Sequence, residues 1–436
     1  MTSRPTFRFT GPFSGLSARD KGLVVDRSSS AASSVGEIVA TIISRVRMDG
    51  DRALRELGAE LDRVDLAEIE VPRARMVEAL QSLSPDLRRA MERSIDNIRK
   101  FHKAQRPGPS SITIEPGVTL GRRPDPFERV GIYAPGGRAA YPSSVLMGAI
   151  PARVAGVEEI ILCSPPAANG IPAASVLAAA QLSGVDRVFS VGGAGAIAAM
   201  CLGTTTIPRA NKVVGPGNAY VVEAKLQLAT AAAFDSPAGP SELLLIADET
   251  ANPDVIAREV LAQAEHDPEA IVIVVAIDGA VATKIENAIS SKLSSARRNE
   301  IIAEALATHG GVVSVTSREE AVGISNAFAP EHLLLAVSNP KEMLDHIRNA
   351  GTVFLGESSS VAFGDYMTGA NHVLPTGGLA RSYSGLSTLD FIRWTTFQSV
   401  SPEAAAAMAQ DVSVFADAEG LYAHGVASSA WAENSP

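Results

Sequence analysis

Cysteine is nearly absent: the 436-residue chain has two, Cys163 and Cys201, and neither belongs to a paired motif. A disulfide framework is thereby excluded, and a reducing compartment is implied. Long basic runs are missing as well. With 48 acidic against 38 basic residues, a net charge of −10, the chain repels polyanions on average, so nucleic acid is not expected as a partner. No stretch reaches the ~18 apolar residues that cross a bilayer. The opening MTSRPTFRFTGPFSG has no apolar core of a secretory signal. No membrane partner is expected, and the expected location is the cytoplasm.

What is present suffices for more than one core: 46% of the residues are hydrophobic and 20% charged, at a length beyond one ordinary domain. Residues 34–61 and 72–107 read as helices preceding the first sheet, because Val39, Ile42, Ile43 and Val46 recur at helical spacing. From Val130 short β-branched runs alternate with Ala-rich stretches: VGIYAP, SSVLMGAIPARVAG, EEIILCSP, ASVLAAAQLSG, RVFSVGG. That is a βαβ rhythm. After KVVGPGN and a helix near 220–233 it resumes with ELLLIAD, a helix over 254–266, AIVIVVAID, GGVVSVTS, HLLLAV and GTVFLGE. Continuously apolar runs suit parallel strands covered on both faces. Beyond about 387 the chain reads as Ala-rich and helical.

Four of the seven histidines end compact polar signatures: QAEH at His266, PEH at His332, GDYMTGANH at His372 and EGLYAH at His424. His102, His309 and His346 read as solvated. In NPDVIAREVLAQAEHDP, Asn252 and Pro253 open a helix and Asp267-Pro268 closes it just after His266. Gln263 and His266 then share a face of its last turn, where the dipole favours a cation. Either a metal sits there or both are polar residues on a solvated helix end. Asp365 belongs to a loop at a strand or helix end. His424 stands five residues after Glu419, and both could point at one pocket. Two imidazoles, a carboxylate and an amide oxygen would make a zinc set. Glu331-His332 follows Ala329-Pro330 and opens a strand. The two are either a general acid/base pair or neighbours on opposite faces of the strand.

Gly193, Gly195 and Ala198 after RVFSV form a loose dinucleotide fingerprint, without the acidic residue expected ~20 positions on. A nucleotide turn and a tight packing turn both fit, as they do for APGG at 134–137 and GPGN at 215–218. Cys163 ends a strand with no histidine or basic neighbour, so it reads as buried and inert rather than as a thiol nucleophile.

Taken together and in order, ERVGIYAPGGRAAYPSSVLM, NKVVGPGNAYVVEAK, AGPSELLLIAD, QAEHDP, APEHL, FGDYMTGANHVLPTGG and EGLYAH resemble the motifs of the histidinol dehydrogenase family, from about residue 34 to 430. The resemblance implies oxidation of L-histidinol to L-histidine through an aldehyde, with two NAD and one Zn2+ per subunit. It implies Gln263, His266, Asp365 and His424 as zinc ligands and Glu331 and His332 as the catalytic pair. Ser241, Gln263, His266, His332, Asp365, Glu419 and His424 would contact substrate, and Tyr133, Gly195 and Asn218 the cofactor.

The implied fold is α/β, two incomplete Rossmann-like domains with small helical N- and C-terminal extensions. Its expected parts are an extension over 1–23, a first domain over 24–132 and 241–386, an inserted second domain over 133–240, and a C-terminal segment over 387–436. A homodimer with intertwined ends, His424 completing the partner's site, is also implied. One departure stands out: the family reads GGAQAIA where this chain reads GGAGAIA, so Gly195 offers the cofactor no side chain. Two rival functions remain open from the residues. One is a dehydrogenase of another polar alcohol, such as a sulfonated diol, on the same scaffold. The other is a zinc hydrolase, which needs no NAD. A non-catalytic metal-binding protein would have no use for the Glu331-His332 pair.

Overall fold

The structure is a computed structural model that describes residues 6–27, 33–136 and 140–433. It divides into two compact units, Met1–Gln105 with Glu128–Phe391, and Arg106–Phe127 with Ile392–Pro436.

The larger unit is built on two six-stranded sheets. In the first, the strands lie in the order Phe9–Pro12, Gly311–Val315, Ile271–Ile277, Glu242–Ala247, His332–Ala336 and Thr352–Leu355, all parallel. In the second the order is Glu70–Val71, Arg187–Ser190, Glu159–Ser164, Arg129–Tyr133, Lys212–Val214 and Ala233–Phe234, parallel except for the first pair. The apolar runs read as strands are strands, and all residues of Glu242–Ala247 and His332–Ala336 are buried, as helices on both faces require.

The chain distributes itself between the sheets differently from the expected boundaries. The N-terminal stretch is no appendage: Phe9–Pro12 pairs with Gly311–Val315 as an edge strand. The helices of 33–104 cover the second sheet rather than the first. Val39, Ile42, Ile43 and Val46 share one buried cluster with Phe189, Ile197 and Val213. The expected long helices are also broken. Gly50, at φ 52°, separates Ser33–Asp49 from Asp51–Leu57. Ser84 caps a new helix at Pro85 by accepting from Leu87 N, which separates Arg73–Ser82 from Pro85–Ala104.

His102, read as solvated, is fully buried in Pro85–Ala104, and neither ring nitrogen has a hydrogen-bond partner among the described residues. Burial lowers its pKa from 6.5 to about 4. The unfolded chain therefore binds a proton below pH 6.5 that the folded chain refuses. Stability from this group is complete above 6.5 and is lost as pH falls towards 4. Between pH 7 and pH 5 the loss is about 2 kcal/mol. Urea unfolding of His102→Leu at both pH values is expected to show a drop smaller by that amount than in the unmodified chain.

The smaller unit is a three-stranded antiparallel sheet, Ile392–Val400 beside Val118–Pro126 beside Ser110–Glu115, followed by an antiparallel helix pair, Pro402–Ala418 and Tyr422–Glu433. The segment beyond 387 is thus not wholly helical. The alternation in IRWTTFQSV carries a nine-residue strand, whose side chains are exposed or half-exposed except Ile392. Among the described residues, no helix is long and apolar enough to cross a membrane.

Candidate active site

Both sheets change winding direction at one point, where a doubly wound fold opens a crevice. In the second sheet that point lies between Arg129–Tyr133 and Lys212–Val214; of the expected cofactor residues, Tyr133 and Asn218 sit at the carboxyl ends there, and Gly195 follows Arg187–Ser190, two strands along. Tyr133 ends its strand, is buried, and accepts from Gly193 N at 3.0 Å. Burial raises its pKa to about 12, so it stays a neutral phenol. Gly193–Leu202 is a helix entered directly from strand Arg187–Ser190, the strand–turn–helix context a nucleotide turn needs. Asn218 caps the helix Ala219–Gln227, its Oδ1 accepting from Tyr220 N and Val221 N at 3.1 and 3.2 Å. Its carbonyl is committed to that cap, and the amide NH2 is the side-chain donor that remains.

The loop before Asn218 is held from inside. Gly215 N donates to Asp235 Oδ2 at 2.7 Å, and the buried Lys225 ammonium donates to Gly215 O at 2.6 Å and Asp235 Oδ1 at 2.5 Å. Gly215, at φ 124°, has no alternative, since a Cβ there would lie 2.0 Å from Tyr133 O. Gly195 is buried, and a Cβ on it would lie 3.3 Å from Leu57 Cδ1 and 3.7 Å from Leu54 Cδ2. A longer side chain at 195 must therefore bend past Leu57. Gly137 of APGG lies outside the described residues.

In the first sheet the switch lies between Glu242–Ala247 and His332–Ala336. At its carboxyl end Asp248 links the segments that follow the two strands, accepting from Ser338 N at 2.8 Å, Ser338 Oγ at 3.0 Å and Thr250 N at 3.0 Å. The candidate residues gather at the opposite, amino ends. Ala329, at φ 51°, ends the helix Arg318–Phe328, and Pro330 leads into Glu331 and the strand starting at His332. Because Glu331 precedes the strand, face alternation does not part the pair, and Glu331 Oε2 stands 3.3 Å from His332 Nδ1. Gly351 donates to Pro330 O at 2.8 Å, and a Cβ on it would lie 2.6 Å from Glu331 O.

His332 Nδ1 stands 3.0 Å from Glu242 O. A carbonyl only accepts, so Nδ1 carries a proton and Nε2 is the atom left to exchange one. Nε2 faces Asp365 Oδ1 at 3.8 Å. Burial works against a charged ring, but the Glu331 and Asp365 carboxylates outweigh it and raise the His332 pKa to about 9. Asp365 sits in the last turn of the short helix Val361–Tyr366, not in the expected loop. His372 joins it, Nδ1 donating to Asp365 O at 2.9 Å. Burial lowers the His372 pKa.

Gln263 is buried in the last turn of Pro253–Ala264, while His266 lies beyond the helix end and is exposed, so the two do not share a helical face as expected. That helix is tied to the one carrying Asp365: Glu259 Oε2, one turn before Gln263, accepts from Val361 N at 3.1 Å, one turn before Asp365. Ser241 lies at the entry to strand Glu242–Ala247, its carbonyl accepting from Ile271 N at 3.0 Å. Among the described residues no three His, Cys, Asp or Glu are gathered as metal donors. Glu419, the C-cap of Pro402–Ala418, and His424, in Tyr422–Glu433, are exposed on the smaller unit. Cys163 is fully buried, and burial pushes its pKa well up, which removes it as a nucleophile.

Comparison with known proteins decides between the rival readings. The family model described as histidinol dehydrogenase matches residues 25–430. The chain belongs to the histidinol dehydrogenase family. Histidinol dehydrogenase of Methanothermobacter thermautotrophicus is 47% identical over 386 residues, 88% of this chain and 91% of that protein. That of Methanosarcina barkeri is 44% identical over 391 residues, 89% of this chain and 90% of that one. The crystal structure of histidinol dehydrogenase from Elizabethkingia anophelis superposes with a TM-score of 0.93 at 36% identity, covering 99% of both chains. The chain is therefore an oxidoreductase of the family that catalyses the last step of histidine biosynthesis, and neither rival reading is favoured.

Two groups that the reading of the sequence gave no role lie against the Glu331-His332 pair. Glu242 is buried beneath the Glu331-His332 pair, and Arg27 is its partner, with Nε–Oε1 at 3.0 Å and Nη2–Oε2 at 2.9 Å. Burial raises the Glu242 pKa against the pull of Arg27. With 215 positions between them, no local pattern announces the pair.

Proposed function

We propose that the chain oxidises L-histidinol to L-histidine in two NAD-linked hydride transfers through histidinaldehyde, as a Zn2+-dependent homodimer of the cytoplasm. The observation that carries this reading is the buried Glu331-His332 pair, with a defined imidazole tautomer and Nε2 turned towards Asp365. His332 Nε2 takes the hydroxyl proton as the first hydride leaves the carbinol carbon. Glu331 takes a proton from the water that adds to the aldehyde, which leaves the hydrate as its alkoxide, and a second hydride departs from that alkoxide to the second NAD to give the acid. His332 would act from its neutral ring, and Asp365, one of the carboxylates that hold the ring charged, would give up part of that influence on binding a cation.

Gln263, His266, Asp365 and the partner subunit's His424 would hold the zinc. Two imidazoles and two oxygen donors suit that ion. Glu259, one turn before Gln263, accepts from Val361 N and so ties the helix carrying Gln263 to the one carrying Asp365. When bound, the metal supplies charge that orients the substrate's imidazole and amine. Ser241 and the partner subunit's Glu419 would contact substrate. Tyr133, Gly195 and Asn218 would contact NAD at the carboxyl-end crevice of the second sheet. The dimer is supported by the smaller unit, which exposes Phe415, Tyr422, Val426, Ile112 and Ile114 and a strand, Ser110–Glu115, with no buried residue.

Mixing subunits tests the shared site. His332→Asn and His424→Asn homodimers are each expected to be inactive, while their heterodimers hold one intact site. Random reassociation then restores about a quarter of the unmodified activity. No recovery in verified heterodimers would place His424 in its own subunit's site. At the cofactor, Gly195→Gln is expected to lower the Michaelis constant for NAD several-fold, the worth of one hydrogen bond of about 0.5–1.5 kcal/mol. An unchanged constant would mean that Leu57 keeps the side chain from the nucleotide.

A further inference from the structure

We infer that Glu242 is the positioning residue of the Glu331-His332 pair and that Arg27 is the counter-charge that fixes it there. The inference rests on the catalytic roles proposed for that pair. Glu242 meets both partners through its own backbone. Its N–H donates to Glu331 Oε2 at 2.7 Å, and its carbonyl stands 3.0 Å from His332 Nδ1. One peptide segment therefore sets the direction of the carboxylate and the tautomer of the imidazole together.

The Glu242 side chain anchors that segment. Its carboxylate receives four N–H groups: Arg27 Nε at 3.0 Å, Arg27 Nη2 at 2.9 Å, Gly377 N at 2.8 Å and Glu331 N at 3.4 Å. These come from three separate parts of the chain. Arg27 is itself immobilised, donating to Val24 O at 3.2 Å and stacked on the Phe328 ring with Cζ 3.3 Å from its centroid. The two side chains are 4% and 1% exposed. A buried ion pair adds little net stability over an apolar pair of the same volume, so its presence beneath the two groups is explained by the location it enforces. Neither conservative exchange preserves that location. A carboxylate only accepts, and Gln would set an amide donor against N–H donors. Lys at 27 keeps the charge but loses the two-pronged fork.

The test compares Glu242→Gln and Arg27→Lys in the zinc-loaded protein, by kcat and KM with L-histidinol and by the His332 Nδ1–H proton in 15N-histidine-labelled protein. That proton is assigned by its loss in His332→Asn. It is bonded to Glu242 O whether the ring is neutral or charged, and is expected downfield and slow to exchange in the unmodified protein. Glu242→Gln is expected to lower kcat roughly 10- to 100-fold, the effect of misplacing catalytic groups by about an ångström. KM should stay within about threefold, and the Nδ1–H signal should exchange fast or vanish. Arg27→Lys should show a smaller loss of the same kind, and carries the test alone if Glu242→Gln does not fold. Unchanged kcat and an unchanged Nδ1–H signal, or a rise in KM alone, would overturn the inference. If the unmodified protein does not oxidise L-histidinol, the substrate reading fails, while the Nδ1–H comparison still decides whether Glu242 positions His332.

Discussion

His332→Asn is expected to slow L-histidinol oxidation roughly 10²- to 10⁴-fold, the range for removing a positioned general base, with no NADH burst in a single turnover. Glu331→Gln should behave differently: the first NADH forms, and histidinaldehyde accumulates because its hydration has lost its base. The division follows from the geometry. In the proposed roles His332 would act through Nε2, since Nδ1 is committed to Glu242 O, whereas Glu331 lies on the Nδ1 side with Oε2 held by Glu242 N. Rapid-mixing NADH absorbance with chromatography of the quenched products separates the two steps. If Glu331→Gln made acid at the unmodified rate and His332→Asn kept its burst, the assignment of roles would be wrong.

Lys225→Met is expected to cost about 3–5 kcal/mol of stability, the cost of stranding a buried carboxylate. Asp235 is buried, and Lys225 is its counter-charge at 2.5 Å. Removing both charges, as in Lys225→Met with Asp235→Leu, should recover most of that stability, because two apolar groups leave no unpaired charge. The double variant should not recover NAD binding, since Gly215 loses both its clamp to Asp235 and the ammonium on its carbonyl, and Asn218 sits three residues on. Urea unfolding and the Michaelis constant for NAD read the two effects separately. A single variant within about 1 kcal/mol of the unmodified chain would show that the pair is not desolvated as described.

Much of the fold was legible because the strands are buried on both faces and therefore read as uninterrupted apolar runs; Glu242–Ala247 and Ile271–Ile277 fall where ELLLIAD and AIVIVVAID placed them. What failed was nonlocal. The periodicity of Val39 to Val46 marks a helix and its buried face but not which sheet that face covers. The edge strand Phe9–Pro12 has four residues, and Phe9 pairs with Gly311, 302 positions on. IRWTTFQSV carried a readable strand signal that the Ala-rich surroundings masked.

At the site, Glu331 and His332 were legible as an acid and a base side by side, and the structure brings Glu331 Oε2 to 3.3 Å from His332 Nδ1. Their contact depends on the strand beginning at His332 rather than at Glu331, a one-residue matter beyond any pattern. His102 misled because charged neighbours on an amphipathic helix do not say which face its own ring occupies. The pairing of Glu242, which opens ELLLIAD, with Arg27 was invisible because it joins distant segments of the chain.

The most direct test of the account is the number of NADH formed per L-histidinol by zinc-loaded protein, repeated after chelation and again after zinc is returned. The account predicts two per substrate, lost with the metal and restored with it. One per substrate, or none while zinc is bound, would contradict it.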